Sequence, residues 1–462
     1  MKRVERVVLV SVIVLGVLVT GCAFSPAVAP GRTYPSRHLL PRPSSARRDA
    51  SSTEEPAGLP TLDEEATLQD YLTYAALNNP GLEAAFRRWK AAMERIPQVS
   101  SLPDPKFQYG YYIEEVETRV GPQEQRFTLS QMFPWFGELR VKGEMAAHAA
   151  EARWEKYQGK KIQLFHEVKK AYAEYYFLGQ AIDITRENME LLKYLEEVAR
   201  EAFRAGEAKH SDVVRAQVEL GKLEDRIETL KELREPRAAD LNSALGRPAG
   251  QPVPMPQSLP EEMVELSEQN LLDSLQEANP RLRSLAQMIR KEEAGVELAK
   301  KQFYPDFSAG VTYIETGSAV MPTSESGKDP IIAMFGITLP IWRQKYSAGV
   351  REAKSRVRAA EMTLSEEWYN LQSGLKGAIF GVEDARRKMR LYRDSLIPKA
   401  EESLKVTQTG FRTGEADFMD LLDAQRTLLD FQLTVERARA NHLERLARLE
   451  KLVGRAVPRK QP

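Results

Sequence analysis

The sequence predicts a mainly α-helical chain that also carries strands of a transmembrane β-barrel. A unit of helix, strand, strand and helix occurs twice along the 462 residues. Each copy contains alternating segments of about ten residues, the length that crosses a bilayer when a strand is tilted. Each copy also contains a helical stretch far longer than a globular domain requires. We therefore interpret the chain as two related repeats.

The composition excludes several classes of function. The 66 basic and 66 acidic side chains balance, which argues against binding of nucleic acid through bulk charge. A single Cys excludes a disulfide framework and a zinc site built from several thiolates. No phosphate loop, nucleophile motif or catalytic carboxylate pair stands out, so we expect neither an enzyme nor a resident metal. The five His residues have no ligand spacing; they are His38, His148, His166, His210 and His442.

The N-terminus predicts export and a lipid anchor. Residues 1–21 combine a basic start with an apolar run over residues 7–19, which is the layout of a signal peptide. The run ends in a V-T-G-C motif at Cys22 that is similar to a bacterial lipobox. We expect Cys22 to carry diacylglyceryl and acyl groups, with no other cofactor, and a Pro/Ser-rich tether to follow over residues 22–65. The alternative is a lone buried Cys. Ala23, by resemblance to sorted lipoproteins, implies the outer membrane.

Matched motifs delimit the two repeats. The distance between paired motifs grows from 200 to 208 residues along the chain, so the insertions lie in loops. We place the repeats at residues 66–247 and 263–455, joined by a Pro-rich linker over residues 248–262 and followed by a tail over residues 456–462. The paired motifs are Asn79-Pro80 with Asn279-Pro280, Pro103-Asp104 with Pro305-Asp306, Pro134 with Pro340, Phe203-Arg204-Ala205-Gly206-Glu207 with Phe411-Arg412-Thr413-Gly414-Glu415, and Gly246-Arg247 with Gly454-Arg455.

Each repeat opens with a helix and continues into two strands. Asn79 and Asn279 are of a residue type that caps helix N-termini, and Pro follows each at the first helical position. One face of each expected strand is apolar and aromatic and the other is small and polar, which suits lipid outside a barrel and water inside it. Two hairpins of a soluble sheet would alternate in the same way. The strands are expected at about 106–116, 124–133, 306–316 and 331–340.

Four strands imply an oligomer if they cross a membrane. Known barrels have at least eight strands, and an open sheet edge cannot remain in lipid. Several chains must therefore each contribute four strands. Trp135 and Trp342 follow the strand-ending Pro and, with Phe136, predict an aromatic belt at the inner membrane interface. Packing at the strand–helix corner is the alternative for these rings.

A long helix follows the strands in each repeat. Residues 139–205 are rich in good helix formers, and such a helix would be about 100 Å long. The second copy, over residues 344–413, contains Pro398, which predicts a bend there. Gly206 and Gly414 then reverse the chain. The returning helices share a three-four apolar repeat that predicts a coiled-coil seam: Val213, Ala216, Leu220, Leu223, Ile227 and Leu230, with Leu421, Ala424, Leu428, Phe431, Val435 and Ala438.

Together these features resemble the TolC-like outer-membrane efflux channels. The resemblance covers about residues 66–455 and rests on the lipobox, the repeats, the long helices, the F-R-x-G-E tip turns and the closing G-R pairs. It is closest to the lipidated branch that serves RND-type pumps. The resemblance implies a homotrimer in which twelve strands form one barrel in the outer membrane, while the helices form a periplasmic tunnel closed at its far tip.

The function implied by this resemblance is that of the outer-membrane channel of a tripartite efflux system. The cargo would be small molecules or metal ions, and the partners would be a periplasmic adaptor protein, an inner-membrane pump and outer-membrane lipid, with no nucleic acid. One alternative is the outer-membrane component of a type I protein secretion system. Another is a periplasmic adaptor lipoprotein, although such adaptors have one helical hairpin between β-rich halves and this chain has two.

The tip of the second repeat contains the candidate periplasmic gate. In the family two Asp residues of this turn line the constriction, and the matching positions are Asp420 and Asp423. Carboxylates contributed by several chains would form a ring that binds cations and repels anions. Helix capping is the alternative for Asp420, because Asp417 is a natural N-cap and Asp420 is the third helical residue after it.

The first repeat offers candidate partners for these carboxylates. The Arg that the family has within this turn is replaced by Ala416, so the salt-bridge latch of some members is not expected in the same form. Asp212 and Arg215 occupy the corresponding positions of the first repeat. Arg215 is therefore a candidate partner of Asp420 or Asp423 between neighbouring helices.

Overall fold

The computed structural model describes residues 60–260, 264, 267–321 and 324–459. The predictions for the signal peptide, for Cys22 and for the tether up to residue 59 lie outside the described residues. The described chain divides into two units. The strand unit contains residues 92–148 and 290–357, and the helical unit contains residues 60–91, 149–289 and 358–459.

The chain is mainly helical with one small sheet, as predicted. The helices are α1 (Leu68–Asn78), α2 (Pro80–Met93), α3 (Arg95–Ser100), α4 (Glu138–Arg204), α5 (His210–Glu232), α6 (Arg234–Leu245), α7 (Glu268–Ala278), α8 (Pro280–Lys301), α9 (Arg343–Leu391), α10 (Ile397–Thr413) and α11 (Phe418–Val453). The strands are β1 (Lys106–Val116), β2 (Gln123–Phe133), β3 (Phe307–Thr316) and β4 (Ile331–Ile337). In the described parts of the chain, no helix has both the length and the apolar character that a membrane crossing requires.

In the helical unit, the first and last motifs of each repeat contact each other. Asn79 caps α2 as predicted, because its Oδ1 accepts a hydrogen bond from the N–H of Leu82 over 3.1 Å. The Nδ2 of Asn79 donates to the carbonyl of Ala244 over 3.0 Å, near the end of α6. Asn279 repeats this contact with the carbonyl of Leu452 over 2.7 Å. The capping Asn thus joins the start of each repeat to its end.

The four strands form one antiparallel sheet in the order β1-β2-β3-β4. The first hairpin pairs with the second through β2 and β3, which keep one register from Gln125 opposite Glu315 to Phe133 opposite Phe307 and shift by one residue at Gln123. Within the described residues, β1 and β4 have no strand on their outer sides. The sheet therefore has two open edges.

The two faces of the sheet differ as the alternation predicts. On one face the rings of Tyr109 and Phe127 lie 5.3 Å apart, and that of Tyr313 lies 6.2 Å beyond Phe127. On the other face the hydroxyls of Thr128 and Thr312 are hydrogen-bonded over 2.9 Å. We call these the aromatic face and the polar face.

Strand β4 departs from the prediction in two ways. It ends at Ile337, short of the expected residue 340. Its partner β3 begins at Phe307, opposite Ile337, and Pro340 has no N–H to extend the pairing. Its polar-face positions are also apolar. They include Met334, whose sulfur accepts a hydrogen bond from the Thr312 hydroxyl over 3.8 Å.

The long helices follow the sequence pattern. Helix α4 has 67 residues without interruption, as predicted. In the second repeat a π-helical turn over Tyr392–Leu396 separates α9 from α10. Pro398 is the second residue of the helix that follows this turn. Since Pro has no N–H and its ring crowds the preceding turn, the regular α-helical ladder cannot continue through it. The irregularity predicted at Pro398 therefore takes the form of a π-turn.

The predicted coiled-coil seam is the core of the helical unit near the chain reversals. Most of its predicted members are buried, and the others are half-buried. Tyr175, Leu164 and Leu245 belong to a second buried cluster, which lies around α1, α4 and α6. Those seam residues that pack in the cluster between the reversals are Val213, Ala216, Leu223, Leu421 and Leu428, with Leu220, Ala424 and Phe431 at its margin.

The two strand–helix corners of the strand unit are built differently. Trp135 is half-buried and stacks on Tyr304, with ring centroids 4.8 Å apart and planes 10° apart. Its backbone N–H donates to Asp306 over 3.0 Å. Trp342 is 72 % exposed, and Phe136 is exposed as well. The corner-packing interpretation therefore fits Trp135, whereas Trp342 and Phe136 have the exposure that an interfacial belt needs.

Candidate functional site at the helix tips

Both chain reversals in the helical unit are built by the same glycine turn. Gly206 has a φ of +77° and Gly414 a φ of +79°, in the left-handed region that favours glycine. In the second tip the N–H of Glu415 donates to the carbonyl of Gly410 over 2.8 Å. In the first tip the N–H of Glu207 donates to the carbonyl of Ala202 over 2.8 Å. These bonds satisfy carbonyls that the helix end leaves free, so both predicted tip turns form.

Asp420 is the third helical residue after the N-cap Asp417 in the second tip, and its side chain takes part in the cap. Its Oδ2 accepts a hydrogen bond from the N–H of Asp417 over 3.1 Å, in the arrangement of a capping box. In the first tip Asp212 accepts from the N–H of Lys209 over 3.2 Å in the same way. Asp420 is exposed, whereas Asp212 is buried. The capping contact that the sequence suggested is therefore present, and it leaves the Asp420 carboxylate open to solvent.

Asp423 lies one helical turn further along α11 and does not cap the helix. Its side chain is 67 % exposed. Phe418, Leu421 and Leu422 lie on the opposite face of the same turn and are fully buried. Because these three anchor the helix in the core, Asp420 and Asp423 are held together on the solvent side.

Arg426 is the partner of Asp423, and the sequence interpretation missed it. The Nη1 of Arg426 lies 3.1 Å from Asp423 Oδ1. Its Nη2 and Nε donate to the two carboxylate oxygens of Glu219 over 2.6 and 3.3 Å. Glu219 belongs to α5 of the first repeat, so one guanidinium connects the two repeats near the tips. Neither Arg426 nor Glu219 belongs to a motif shared by both repeats, so no sequence pattern indicated the pair.

The contact changes the ionisation of both groups. Burial opposes the charge of Glu219, but hydrogen bonds from Arg426 and Lys222 outweigh it and lower the pKa of this carboxyl. The hydrogen bonds that Arg426 donates to Glu219 raise the pKa of Arg426. Both groups are therefore charged at neutral pH, and the pair is a bidentate, charge-assisted contact.

Arg215 has a different partner within the chain. Its Nη1 lies 3.6 Å from Oδ1 of Asp212, three residues earlier on the same helix. The structure thus brings Arg215 to Asp212 and Arg426 to Asp423. The predicted contact of Arg215 with Asp420 or Asp423 between neighbouring helices stays a prediction.

The comparison with protein families places this fold and these tips in a known group. A family model described as outer membrane efflux protein matches residues 72–247 and 271–455, which is most of the chain. The chain belongs to the outer membrane efflux protein family. The two matched ranges fall within the two repeats, and the family and fold are those of channel proteins. This efflux protein is accordingly an outer-membrane channel component of a tripartite efflux system.

Curated relatives and solved structures agree with this assignment. The efflux protein is 20% identical over 439 residues to nodulation protein T of Rhizobium leguminosarum bv. trifolii, covering 91% of each chain. It is 21% identical over 400 residues to the cobalt-zinc-cadmium resistance protein CzcC of Cupriavidus metallidurans, covering 84% of this chain and 90% of that protein. The structure of CusC is similar with a TM-score of 0.72 at 15% identity, covering 93% of this chain and 100% of that chain. The latter likeness shows a shared fold.

In the parts of the chain that the structure describes, no cluster of three His, Cys, Asp or Glu side chains could hold a metal ion. His166 is the most perturbed His: burial, assisted by the charges of Lys451 and Lys170, lowers its pKa to about 4. It is therefore neutral at physiological pH.

His166 lines a cavity of about 840 Å³ in the helical unit. The charged side chains there include Glu450, which lies 2.6 Å from Lys169 and 2.7 Å from Arg459. Glu450 is thus paired with both cations, and the helix tips remain the candidate site of this efflux protein.

Proposed function

We propose that three copies of this chain assemble into one channel. Their sheets would join into a twelve-stranded barrel in the outer membrane, and their long helices would form a periplasmic tunnel. The tunnel would receive cargo from a periplasmic adaptor protein and an inner-membrane pump. The observation that carries the proposal is the four-stranded sheet, with one aromatic face, one polar face and two open edges.

The open edges are the reason to expect an oligomer. Strands β1 and β2 have 11 residues each and β3 has 10, which is enough to cross a tilted bilayer span. Unpaired N–H and C=O groups cannot be left in lipid, because no water is there to bond them. Pairing β4 of one copy with β1 of the next satisfies both edges and closes a ring. The family resemblance supports three copies.

The faces of the sheet set its orientation in such a barrel. Phe107, Tyr109 and Tyr111 are exposed on the aromatic face at the β1 edge. Such rings are stable against lipid, whereas the hydrogen-bonded Thr128 and Thr312 suit a water-filled interior. The aromatic face would thus be the outer wall.

We infer that Asp420 and Asp423 form the gate at the tunnel tip. Both carboxylates are exposed on one side of α11, over a buried apolar anchor. Three copies would bring six carboxylates around the axis, where they would attract cations. The Arg426–Glu219 contact would hold each α11 against α5 and so keep the ring narrow.

We also propose that Cys22 is lipidated and ties the mature N-terminus to the outer membrane. The lipobox-like sequence supports this proposal. Metabolic labelling with palmitate checks it. The wild-type protein should take up label, and Cys22→Ser should not; equal labelling of both would contradict the proposal.

The cargo class is the second part of the proposal. Metal cations are favoured because one relative is named a cobalt-zinc-cadmium resistance protein and because the candidate gate is acidic. Growth of a deletion strain on metal ions, dyes, detergents and antibiotics tests this. Sensitivity restricted to metal ions, and restored by the intact gene, is expected. Sensitivity restricted to organic compounds would overturn the metal assignment while leaving the channel in place.

The trimer is tested by the mass of the complex extracted in mild detergent. A mass of three chains is expected. A stable monomer in the membrane fraction would contradict the shared barrel, because one chain leaves two edges unpaired.

A further inference from the structure

We propose that the corner between β4 and α9 binds the headgroup of an anionic phospholipid. Arg343 and Lys345 would contact the phosphate, and Trp342 would lie at the level of the headgroups. The inference rests on the proposed barrel, because the corner meets lipid only if the sheet spans the membrane. It adds a lipid class and specific residues to that proposal.

The first observation is an apolar surface that runs past the end of the strand. Phe335 on the aromatic face of β4 is 87 % exposed, and Ile337 is exposed beside it. The chain continues through Leu339 and Ile341 to Trp342, and all three side chains are exposed. The surface is thus continuous with the proposed lipid-facing wall and ends in a Trp, the residue enriched at membrane interfaces.

The second observation is two uncompensated cations directly after that Trp. Arg343 and Lys345 are exposed, and neither forms an ion pair within the described residues. The ammonium of Lys345 lies 5.5 Å from the ring centre of Tyr346. Arg343 is also the first residue of the 49-residue α9, so the positive end of the helix dipole lies at the same place.

The first repeat provides a natural contrast. Pro134 and Pro340 are equivalent, so Gly137 and Leu139 stand where the second repeat has Arg343 and Lys345. The cations that follow in the first repeat are neutralised by their own helix. Arg140 pairs with Glu144, and Lys142 lies 2.7 Å from Glu138. The first corner also has an exposed Phe136, but the nearby ammonium of Lys301 is half-buried and donates to the carbonyl of Phe136 over 3.0 Å. Among the described residues, the second corner differs in carrying two exposed cations without an ion pair at the start of its helix.

An exposed apolar surface next to two unpaired cations favours an anionic lipid over a zwitterionic one. A zwitterionic headgroup brings its own ammonium and gains little from two further cations. An anionic headgroup such as phosphatidylglycerol brings one uncompensated phosphate, which a guanidinium can bind through two N–H groups. Each Lys or Arg at the membrane surface contributes about a fivefold gain in affinity for anionic lipid.

The test uses Trp342 as the reporter in the full-length protein. The protein is reconstituted into phosphatidylcholine vesicles containing phosphatidylglycerol, with bromine on one lipid or on the other. The quenching that disappears in Trp342→Phe belongs to Trp342. We divide the quenching of Trp342 by brominated phosphatidylglycerol by its quenching by brominated phosphatidylcholine. This ratio gives the preference of the corner for phosphatidylglycerol.

We expect a preference of at least about fivefold in the wild type. It should fall below about twofold in Arg343→Gln with Lys345→Gln. The matched control is Arg351→Gln with Lys354→Gln, which removes the same charge from α9 about 12 Å further along the helix. The control should keep the preference, because surface attraction fades within about one Debye length.

Two results would overturn the inference alone. These are equal quenching by both lipids in the wild type, or loss of the preference in the control to the same extent. In either case the protein would still be embedded in lipid, and the barrel would stand. If no brominated lipid quenches Trp342 and an alkaline wash removes the Cys22→Ser variant, which lacks the proposed anchor, from the vesicles, the barrel itself is wrong and the lipid site is wrong with it.

Discussion

Arg426 is the residue on which the candidate gate depends most directly. Its guanidinium contacts Glu219 on α5 and Asp423 on α11. Glu219 is mostly buried, so its charge needs a partner. A single side chain therefore contacts both a candidate gate carboxylate and the first repeat.

Replacing Arg426 by Ala should loosen the tip. We expect a loss of about 1 kcal/mol in the free energy of unfolding, since two charge-assisted contacts are removed from a partly exposed site. Ion leakage through reconstituted channels should rise. Arg426→Lys should have a stability and a leakage between those of the wild type and Arg426→Ala, because an ammonium cannot bind both Glu219 oxygens in the same plane. Thermal unfolding and bilayer conductance measure the two effects.

Arg215→Ala is the matched control, because it removes an Arg that pairs only within its own helix. Little change in leakage is expected. If Arg215→Ala opens the channel and Arg426→Ala does not, the relevant contact is instead the one predicted from the sequence, between Arg215 and Asp420 or Asp423 of neighbouring helices.

The pH dependence of this contact follows from the lowered pKa of Glu219. A carboxyl whose pKa is lower in the folded protein contributes stability above its unfolded value, here the ordinary 4.5, and loses it as the pH falls through the folded value. The difference in melting temperature between wild type and Glu219→Gln should thus be constant from pH 8 to about pH 5. It should shrink only below 4.5. A difference that disappears near neutral pH would contradict the assigned contact.

Among the elements, the closing glycines of the repeats are more constrained than those of the tips. Gly454 has a φ of +87°, and a Cβ there would lie 2.5 Å from the carbonyl oxygen of Ala278. Gly414 has a similar φ, but no heavy atom lies within 4 Å of its Cβ position among the described residues. At position 454, both the left-handed conformation and the close approach of the Ala278 backbone therefore require glycine. At position 414, only the conformation does.

Two Ala substitutions should separate these causes. Gly414→Ala should cost about 1 kcal/mol, the strain of a left-handed residue with a Cβ. Gly454→Ala should cost about 3 kcal/mol, because the backbone of the capping Asn segment must also move. Denaturant unfolding of the two variants measures the difference. If both variants lose the same free energy of unfolding, the backbone that contacts Gly454 moves aside for the added Cβ at no measurable cost.

The elements were predictable where the pattern is periodic and less so where it ends. Alternation in β1 to β3 and the uninterrupted helix formers of α4 specify those elements locally. The early end of β4 at Ile337 depends on where its partner begins, which no local pattern contains. At the gate, the Asp residues stand in a family motif, whereas Arg426 and Glu219 meet only after both repeats have folded.

At the scale of the whole molecule, one chain leaves the structure open. The sheet has two unpaired edges and an aromatic face, and both need an environment that a single copy does not provide. The twofold repeat predicted from the sequence explains why each chain contributes two hairpins and two tips. It does not specify how many chains meet, because that number depends on the geometry of closure.

The most direct test of the channel is single-channel recording of the purified protein in planar bilayers. We predict that the wild type shows discrete conductance steps and is blocked by multivalent cations. The double variant Asp420→Asn with Asp423→Asn should have a larger conductance and a weaker block. Asn at position 420 can still accept the capping bond, so the variant removes charge and keeps the helix end. Unchanged conductance and block would leave Asp420 as a cap only, and membranes that stay silent would contradict the channel itself.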